Sequence, residues 1–235
     1  TGYMCNMNEL SNISKKYNIP IVEDACQSIL GEYNKKKAGT WGVTGAFSLH
    51  PLKNINVWSD GGIITLNDKN VFNKIKLLRN HGLRDRDNVE ISGYNSRLDT
   101  FQAVVGNWIL PKAKGIAKKR IQNAKYLDSK LKNIEEITIP PRNKKIKIVY
   151  HLYIVFAKKR NLLLNYCLKN GIEAKIHYPK PMVLQKNLRY LKNNKNDYPV
   201  TCEHTKKIIT FPCDQHLTKK QLDYIIKTVK NFYKK

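Results

Sequence analysis

Three short stretches of the chain carry side chains that could do chemistry together. "IPIVEDA" (19–25) ends in Glu23 and Asp24, "TGAFSLHPLKN" (44–54) carries Ser48 and Lys53 five positions apart, and "SDGG" (59–62) forms an acidic, glycine-rich turn. A lysine amine can condense with an aldehyde, and a carboxylate can hold a ring nitrogen protonated. A hydroxyl beside free backbone N–H groups can take a phosphate. The plain alternative for Lys53 is a packed stem with its ammonium group reaching water.

The elements that position these groups follow from the apolar pattern. Asn6 and Glu9 suit the start of a helix running to Tyr17, with Met7, Leu10, Ile13 and Tyr17 on one face. "IPIVEDA", "TGAFSLHP" and "GGIITLND" read as buried strands, and Asp68 as the cap of a helix that stops near Gly82. Alternating strands and helices predict an α/β arrangement over residues 1–112. A helix is expected from Asp99, with Gln102 at its capping-box position and an interruption at Pro111. The domain change is placed near that interruption. Residues 113–235 then read as a smaller α+β domain: a continued helix to Ile134, a strand over "KIKIVYHLYIVFA", a helix ending at Gly171, a strand over "IEAKIHYP", an irregular basic stretch, and a last helix capped by Thr218 and Gln221. In an open α/β sheet, ligands bind beyond the carboxyl ends of the strands. Asp24, Ser48 with Lys53, and Asp60-Gly61-Gly62 all fall there. An acid, a hydroxyl and a lysine at that edge match the needs of pyridoxal 5'-phosphate, beside the plain reading of a lysine on a loop.

The net charge is +25, with +4 on residues 1–112 and +21 on residues 113–235. A basic half can serve a polyanion, but the sequence holds no RNP motif, zinc-finger spacing or compact basic helix, so nucleic acid is not the expected partner. Lysines run alongside asparagines throughout, which reads as a solvated surface. The five cysteines are odd in number and scattered, which predicts free thiols and a cytoplasmic setting. No apolar run is long enough to span a bilayer. Cys202, His204, Cys213 and His216 fit no standard zinc spacing. His50 abuts the lysine loop and either shapes a pocket or caps a strand. The acidic and basic residues of 85–90 read as a solvated loop, and Trp41 and Trp58 as packing residues on either side of the lysine loop.

Several motifs concur in order: "VEDACQS", "GTWGVTGAFSLHPLKN", "SDGGIITLND", "LLRNHGL", "GYNSRLDTFQAVVGN" and "GIEAKIHYP". Together they resemble the DegT/DnrJ/EryC1/StrS family of sugar aminotransferases, and the resemblance covers nearly the whole chain. It implies a fold-type I architecture, with the C-terminal part of a large mixed-sheet domain (1–112) and a small α+β domain (113–235). It implies pyridoxal 5'-phosphate held by Lys53 as the covalent anchor, from the pattern F-S-x-x-x-x-K-N at Phe47 to Asn54. Asp24 would pair with the pyridine nitrogen, Gln27 would lie near the ring hydroxyl, and Ser48 would bind the phosphate. Asn95 would reach the phosphate of a neighbouring subunit, since these enzymes share active sites across a homodimer. Arg97 is expected to be structural. His177, Tyr178 and Trp58 are candidates for substrate contact. The implied reaction moves an amino group from glutamate to a keto-sugar, usually nucleotide-linked, for amino-sugar and cell-surface polysaccharide synthesis. Relatives that dehydrate sugars carry a histidine at the lysine position, so Lys53 favours transamination. Against the family pattern the chain opens almost at the turn matched by "GYMCNMNEL". The expectation is that the family's N-terminal third, with further phosphate-binding residues and the aromatic that stacks on the cofactor, is not in this chain. The alternatives are an inactive remnant and a basic polyanion-binding protein.

Overall fold

A computed structural model describes residues 1–234. Two compact units are present. The first holds Gly2–Lys118 and Asn143–His151; the second holds Thr1, Lys119–Arg142 and the chain from Leu152 onward. The sequence pattern put the change at residue 112; the units part a few residues later, within one helix, and a short segment returns to the first unit.

The first unit opens with α1 (Met7–Tyr17), started by Asn6, whose side chain accepts the Glu9 N–H. Its main sheet has three strands in the order β1 (Val22–Asp24), β4 (Thr44–Ser48), β5 (Gly62–Leu66). β1 and β4 are parallel, with Asp24 level with Ala46, and β4 and β5 are antiparallel. A second ribbon joins β2 (Glu32–Tyr33), β3 (Lys36–Lys37) and the returning β7 (Ile146–Lys147). α2 (Lys69–Leu78) starts at Asp68, which accepts the Asn70 and Val71 N–H groups. α3 (Thr100–Ile109) starts with a complete capping box of Asp99 and Gln102. Pro111 turns the chain through a 3-10 segment before α4 (Ala113–Leu131).

Two apolar clusters hold the first unit. Met4, Met7, Ala25, Tyr33 and Ala38 form one, and Leu49, Ile55, Val57 and Ala113 the other. Burying each large aliphatic side chain contributes about 1.5–3 kcal/mol. The second cluster pins both ends of the loop that carries Lys53. Between the strands, Glu23 is 7% exposed and its carboxylate accepts three backbone N–H groups: Gly39 at 2.8 Å, Trp41 at 2.6 Å and Gly42 at 2.9 Å. This draws the 39–42 loop onto β4. The approach is so close that a Cβ on Gly45 would lie 2.3 Å from the Gly39 Cα.

In the second unit, β6 (Ile137–Thr138), β8 (Tyr153–Ala157) and β9 (Ile208–Phe211) form an antiparallel sheet in the order β6-β8-β9. α5 (Arg160–Lys169) packs against β8, β9 and α7 (Lys219–Tyr233); α6 (Pro199–Lys207) precedes β9. Buried Leu127, Leu131, Tyr153, Leu163, Phe211 and Val229 form its interior. Asp128 takes both Arg142 Nε and Nη2 (3.0 and 3.1 Å) and the Tyr153 hydroxyl (2.8 Å).

Two strand expectations are corrected. "KIKIVYHLYIVFA" is two strands, because Tyr150 is left-handed (φ +49) and a bend at His151-Leu152 separates β7 from β8. "IEAKIHYP" forms only a single bridge, Lys175 to Thr210. The basic stretch expected to be irregular contains α6 and β9.

The Glu23 carboxylate gives a direct stability prediction. Glu23→Gln removes one acceptor and sets an amide N–H₂ against backbone donors, which leaves buried N–H groups unpaired. Unfolding in urea is expected to lose about 1.5–3 kcal/mol relative to the unsubstituted chain. An unchanged midpoint and slope would contradict the role given to this residue.

Candidate active site

β1 and β4 run parallel and end side by side, so Asp24 and Ser48 reach the same edge of the sheet. β-strand alternation turns Glu23 inward and Asp24 outward. The expectation that Glu23 shares the ligand edge with Asp24 is therefore corrected: Glu23 is buried among backbone donors, and Asp24 alone is presented.

Past β4 the chain makes a closed loop. Leu49 N–H donates to Gly61 O (2.8 Å), Val57 N–H to Leu49 O (3.1 Å), and Lys53 N–H to His50 O (2.8 Å). Asn54, 6% exposed, donates its Nδ2 to Val149 O at 3.1 Å and ties the loop to the returning segment. His50 accepts the Leu52 N–H through Nδ1 at 3.1 Å and faces Asp60 at 3.8 Å. Lys53 thus sits half-buried on a clasp fixed at both ends by Leu49, Ile55 and Val57, which is more structure than a snorkelling surface lysine needs.

Four residues meet at the edge. Asp24 Oδ1 accepts the Cys26 N–H at 3.1 Å, a local turn of the kind aspartates favour. The Cys26 thiol donates to the Ala46 carbonyl at 3.7 Å; burial first and then Asp24 raise its pKa, while Lys53 and the Ser48 N–H oppose the rise. The Ser48 hydroxyl accepts the His50 N–H at 3.2 Å. The thiol's hydrogen bond, the Cys26 N–H and the charge of Lys53 hold the Asp24 carboxyl below the usual carboxylate range, against a smaller opposing effect of burial. The arrangement offers an ionised carboxylate, an amine and a hydroxyl to one ligand, which is the donor set pyridoxal phosphate requires.

The other sequence candidates divide. Gln27 follows directly and is half-buried. Asn95 is exposed, in a segment whose backbone bridges to Asn80. Arg97 is exposed too, and borders a cleft of about 630 Å³ that includes Asp60, Gly61, Gly62, Phe47 and Phe72 but neither Asp24 nor Lys53. Trp58 is 67% exposed with φ +65 and lies 6.0 Å from the Phe101 ring, so it is a surface residue rather than core. Trp41 packs edge-on to Tyr33. His177 and Tyr178 belong to the second unit. His177 Nδ1 pairs with the Thr210 hydroxyl at 2.9 Å, and burial with the neighbouring Lys175 lowers its pKa; Tyr178 is 61% exposed. Among the described residues no three His, Cys, Asp or Glu side chains cluster as a metal site, and no helix is long and apolar enough to cross a membrane. Cys26 is the residue that sequence reasoning missed. Its signal was its place two residues after Asp24, where an N–H can close onto the carboxylate.

The sign of the Asp24 effect is testable. A depressed carboxyl is fully ionised above its unfolded value near 4, and the interaction is lost as pH falls through the lower folded value. Carbon-detected titration should put Asp24 below an ordinary aspartate, and Lys53→Met should move it upward. An Asp24 midpoint at or above the ordinary value would contradict this geometry.

Comparison with known proteins finds one family over almost the whole chain. The profile of the DegT/DnrJ/EryC1/StrS aminotransferase family matches residues 1–230. The UDP-4-amino-4,6-dideoxy-N-acetyl-beta-L-altrosamine transaminase of Campylobacter jejuni is 33% identical, over 97% of this chain and 62% of its own length. The dTDP-3-amino-3,6-dideoxy-alpha-D-galactopyranose transaminase of Aneurinibacillus thermoaerophilus is 29% identical, over 98% of this chain and 63% of its own. Among solved structures, DesV of S. venezuelae, in complex with a ketimine intermediate, superposes with a TM-score of 0.95 at 27% identity, over 100% of this chain and 63% of that one. The chain thus spans a little under two thirds of the length of the relatives it matches. With this match over almost its full length, the chain belongs to the DegT/DnrJ/EryC1/StrS aminotransferase family.

Proposed function

We propose that the protein of which these residues are part is a pyridoxal-phosphate-dependent aminotransferase that moves an amino group from glutamate to a nucleotide-linked keto-sugar. The family is pyridoxal-phosphate-dependent, and the similar proteins named above are transaminases of dTDP- and UDP-linked amino sugars. The observation that carries the reading is the meeting of Asp24, Ser48 and Lys53 at the carboxyl edge of β1 and β4. The first unit is then the part that holds the cofactor.

Each residue has a role in this reading. Lys53 would hold the cofactor through its aldehyde, and its Nζ would carry the proton to and from the carbon where the amino group is exchanged. Asp24 keeps the ring nitrogen protonated. Ser48 and its neighbouring N–H groups would hold the phosphate, Gln27 would serve the ring hydroxyl, and Asn95 would serve the phosphate of a second subunit in a homodimer. His177, Tyr178 and Trp58 are the candidates for contact with the sugar. When bound, pyridoxal phosphate supplies a cationic conjugated ring that accepts the charge left as the proton departs.

The reading is tested by assaying amino transfer from glutamate to a panel of dTDP- and UDP-linked keto-sugars with added pyridoxal phosphate. Lys53→Ala should abolish transfer. Asp24→Asn, which keeps the shape and removes the charge, should slow it about tenfold or more, matching the 1.5–3 kcal/mol of a charge-assisted hydrogen bond. Wild-type turnover in Asp24→Asn, or transfer that survives without Lys53, would overturn the assignment.

A further inference from the structure

Asp24 is held in an unusual way. It lies at an exposed strand end, where a carboxylate is free to turn among rotamers and water. Two groups of one neighbour constrain it. The Cys26 N–H closes the turn onto Oδ1 at 3.1 Å, and the Cys26 side chain folds back between the ends of β1 and β4. There the sulfur donates to the Ala46 carbonyl at 3.7 Å, close enough for the Asp24 carboxylate and the Ser48 N–H to act on its titration in opposite senses. Ala46 is the residue level with Asp24 across the parallel pair, and the Ala25 N–H already donates to its carbonyl at 2.9 Å. The thiol is therefore wedged against the ladder position that sets the two strand ends.

We infer that Cys26 is a positioning residue for Asp24: its thiol and backbone N–H together fix the carboxylate in one orientation, facing the edge that Lys53 and Ser48 share. The inference rests on the functional reading above for its purpose, but not for its geometry. A thiol is a weak donor, yet a carboxylate is a strong acceptor, so the pair gains from charge assistance. The coupling is mutual. The same contact that stabilises the Asp24 anion opposes thiolate formation on Cys26, whose pKa is raised by burial first and by Asp24 next. The charged groups facing the thiol are Asp24 from β1 and Lys53 from the loop after β4; Lys53 acts in the opposite sense and does not cancel the rise. Burial is the foremost cause at Cys167 and Cys213 too, whose thiols are pushed up to about 11 and about 12.

The test uses this chain without cofactor. Iodoacetamide labelling at pH 8, followed by peptide mass spectrometry, reads the thiolate fraction at each cysteine. In Asp24→Asn the Cys26 rate should rise at least about threefold, while exposed Cys5 stays constant as the internal reference. A second measurement guards against misfolding of that variant. Cys26→Val fills the space without a donor and should raise the Asp24 carboxyl midpoint, whereas Cys26→Ser, which keeps a donor, should restore it. An unchanged Cys26 rate in Asp24→Asn, an unmoved Asp24 midpoint in Cys26→Val, or no restoration by Cys26→Ser would overturn the positioning role. These readouts fail or succeed apart from the enzyme reading, which falls instead if pyridoxal phosphate forms no adduct with Lys53.

Discussion

The site depends on one buried carboxylate that takes no part in the chemistry. Glu23 sits between the Asp24 that faces the ligand edge and the loop at 39–42 that lies across β4. Its carboxylate accepts from three backbone N–H donors that no strand pairs, so the buried group has hydrogen-bond partners on both oxygens. The contact fixes the position of β1 relative to the loop and, through the Gly39–Gly45 approach, relative to β4. Because side chains alternate along a strand, anchoring Glu23 inward leaves Asp24 no choice but to face outward. The outward orientation of Asp24 is thus set one residue away from it, on the opposite face.

The same logic holds at the lysine. Lys53 is not placed by its own contacts but by what flanks it. Leu49, Ile55 and Val57 are buried to within 2% exposure, and Asn54 reaches across to Val149. In the role proposed for Lys53 such a clasp is useful, because ordering the loop beforehand removes that entropic cost from the binding step. The Asn54 Oδ1 is buried and has no partner among the described residues.

Local signals were legible in the sequence, and long-range ones were not. The starts of α2, α3 and α7 were readable at Asp68, Asp99 with Gln102, and Thr218 with Gln221, since a cap needs only residues two or three positions away. Strands β1, β4 and β5 were readable from apolar runs that end in turn residues. The break at Tyr150 was not, because "KIKIVYHLYIVFA" holds no Gly, Pro, Asn or Asp to mark a turn, and only its pairing with β2 on one side and β6 and β9 on the other divides it. Lys53, Asp24 and Ser48 stood out because their residue types are out of place at strand ends. Cys26 did not, since a small half-buried thiol looks like packing until the carboxylate beside it is seen. Trp58 misled in the other direction: a tryptophan reads as core, and here it stands at a left-handed turn in the open.

The central claim is that Lys53, and no other of this chain's many lysines, is the residue that bonds to pyridoxal phosphate. Incubation with the cofactor, reduction with borohydride and peptide mass mapping measures this directly. The account predicts a single stable pyridoxyl adduct on the peptide containing Lys53, suppressed in Lys53→Ala. An adduct spread over surface lysines in proportion to their exposure, with Lys53 unlabelled, would contradict it.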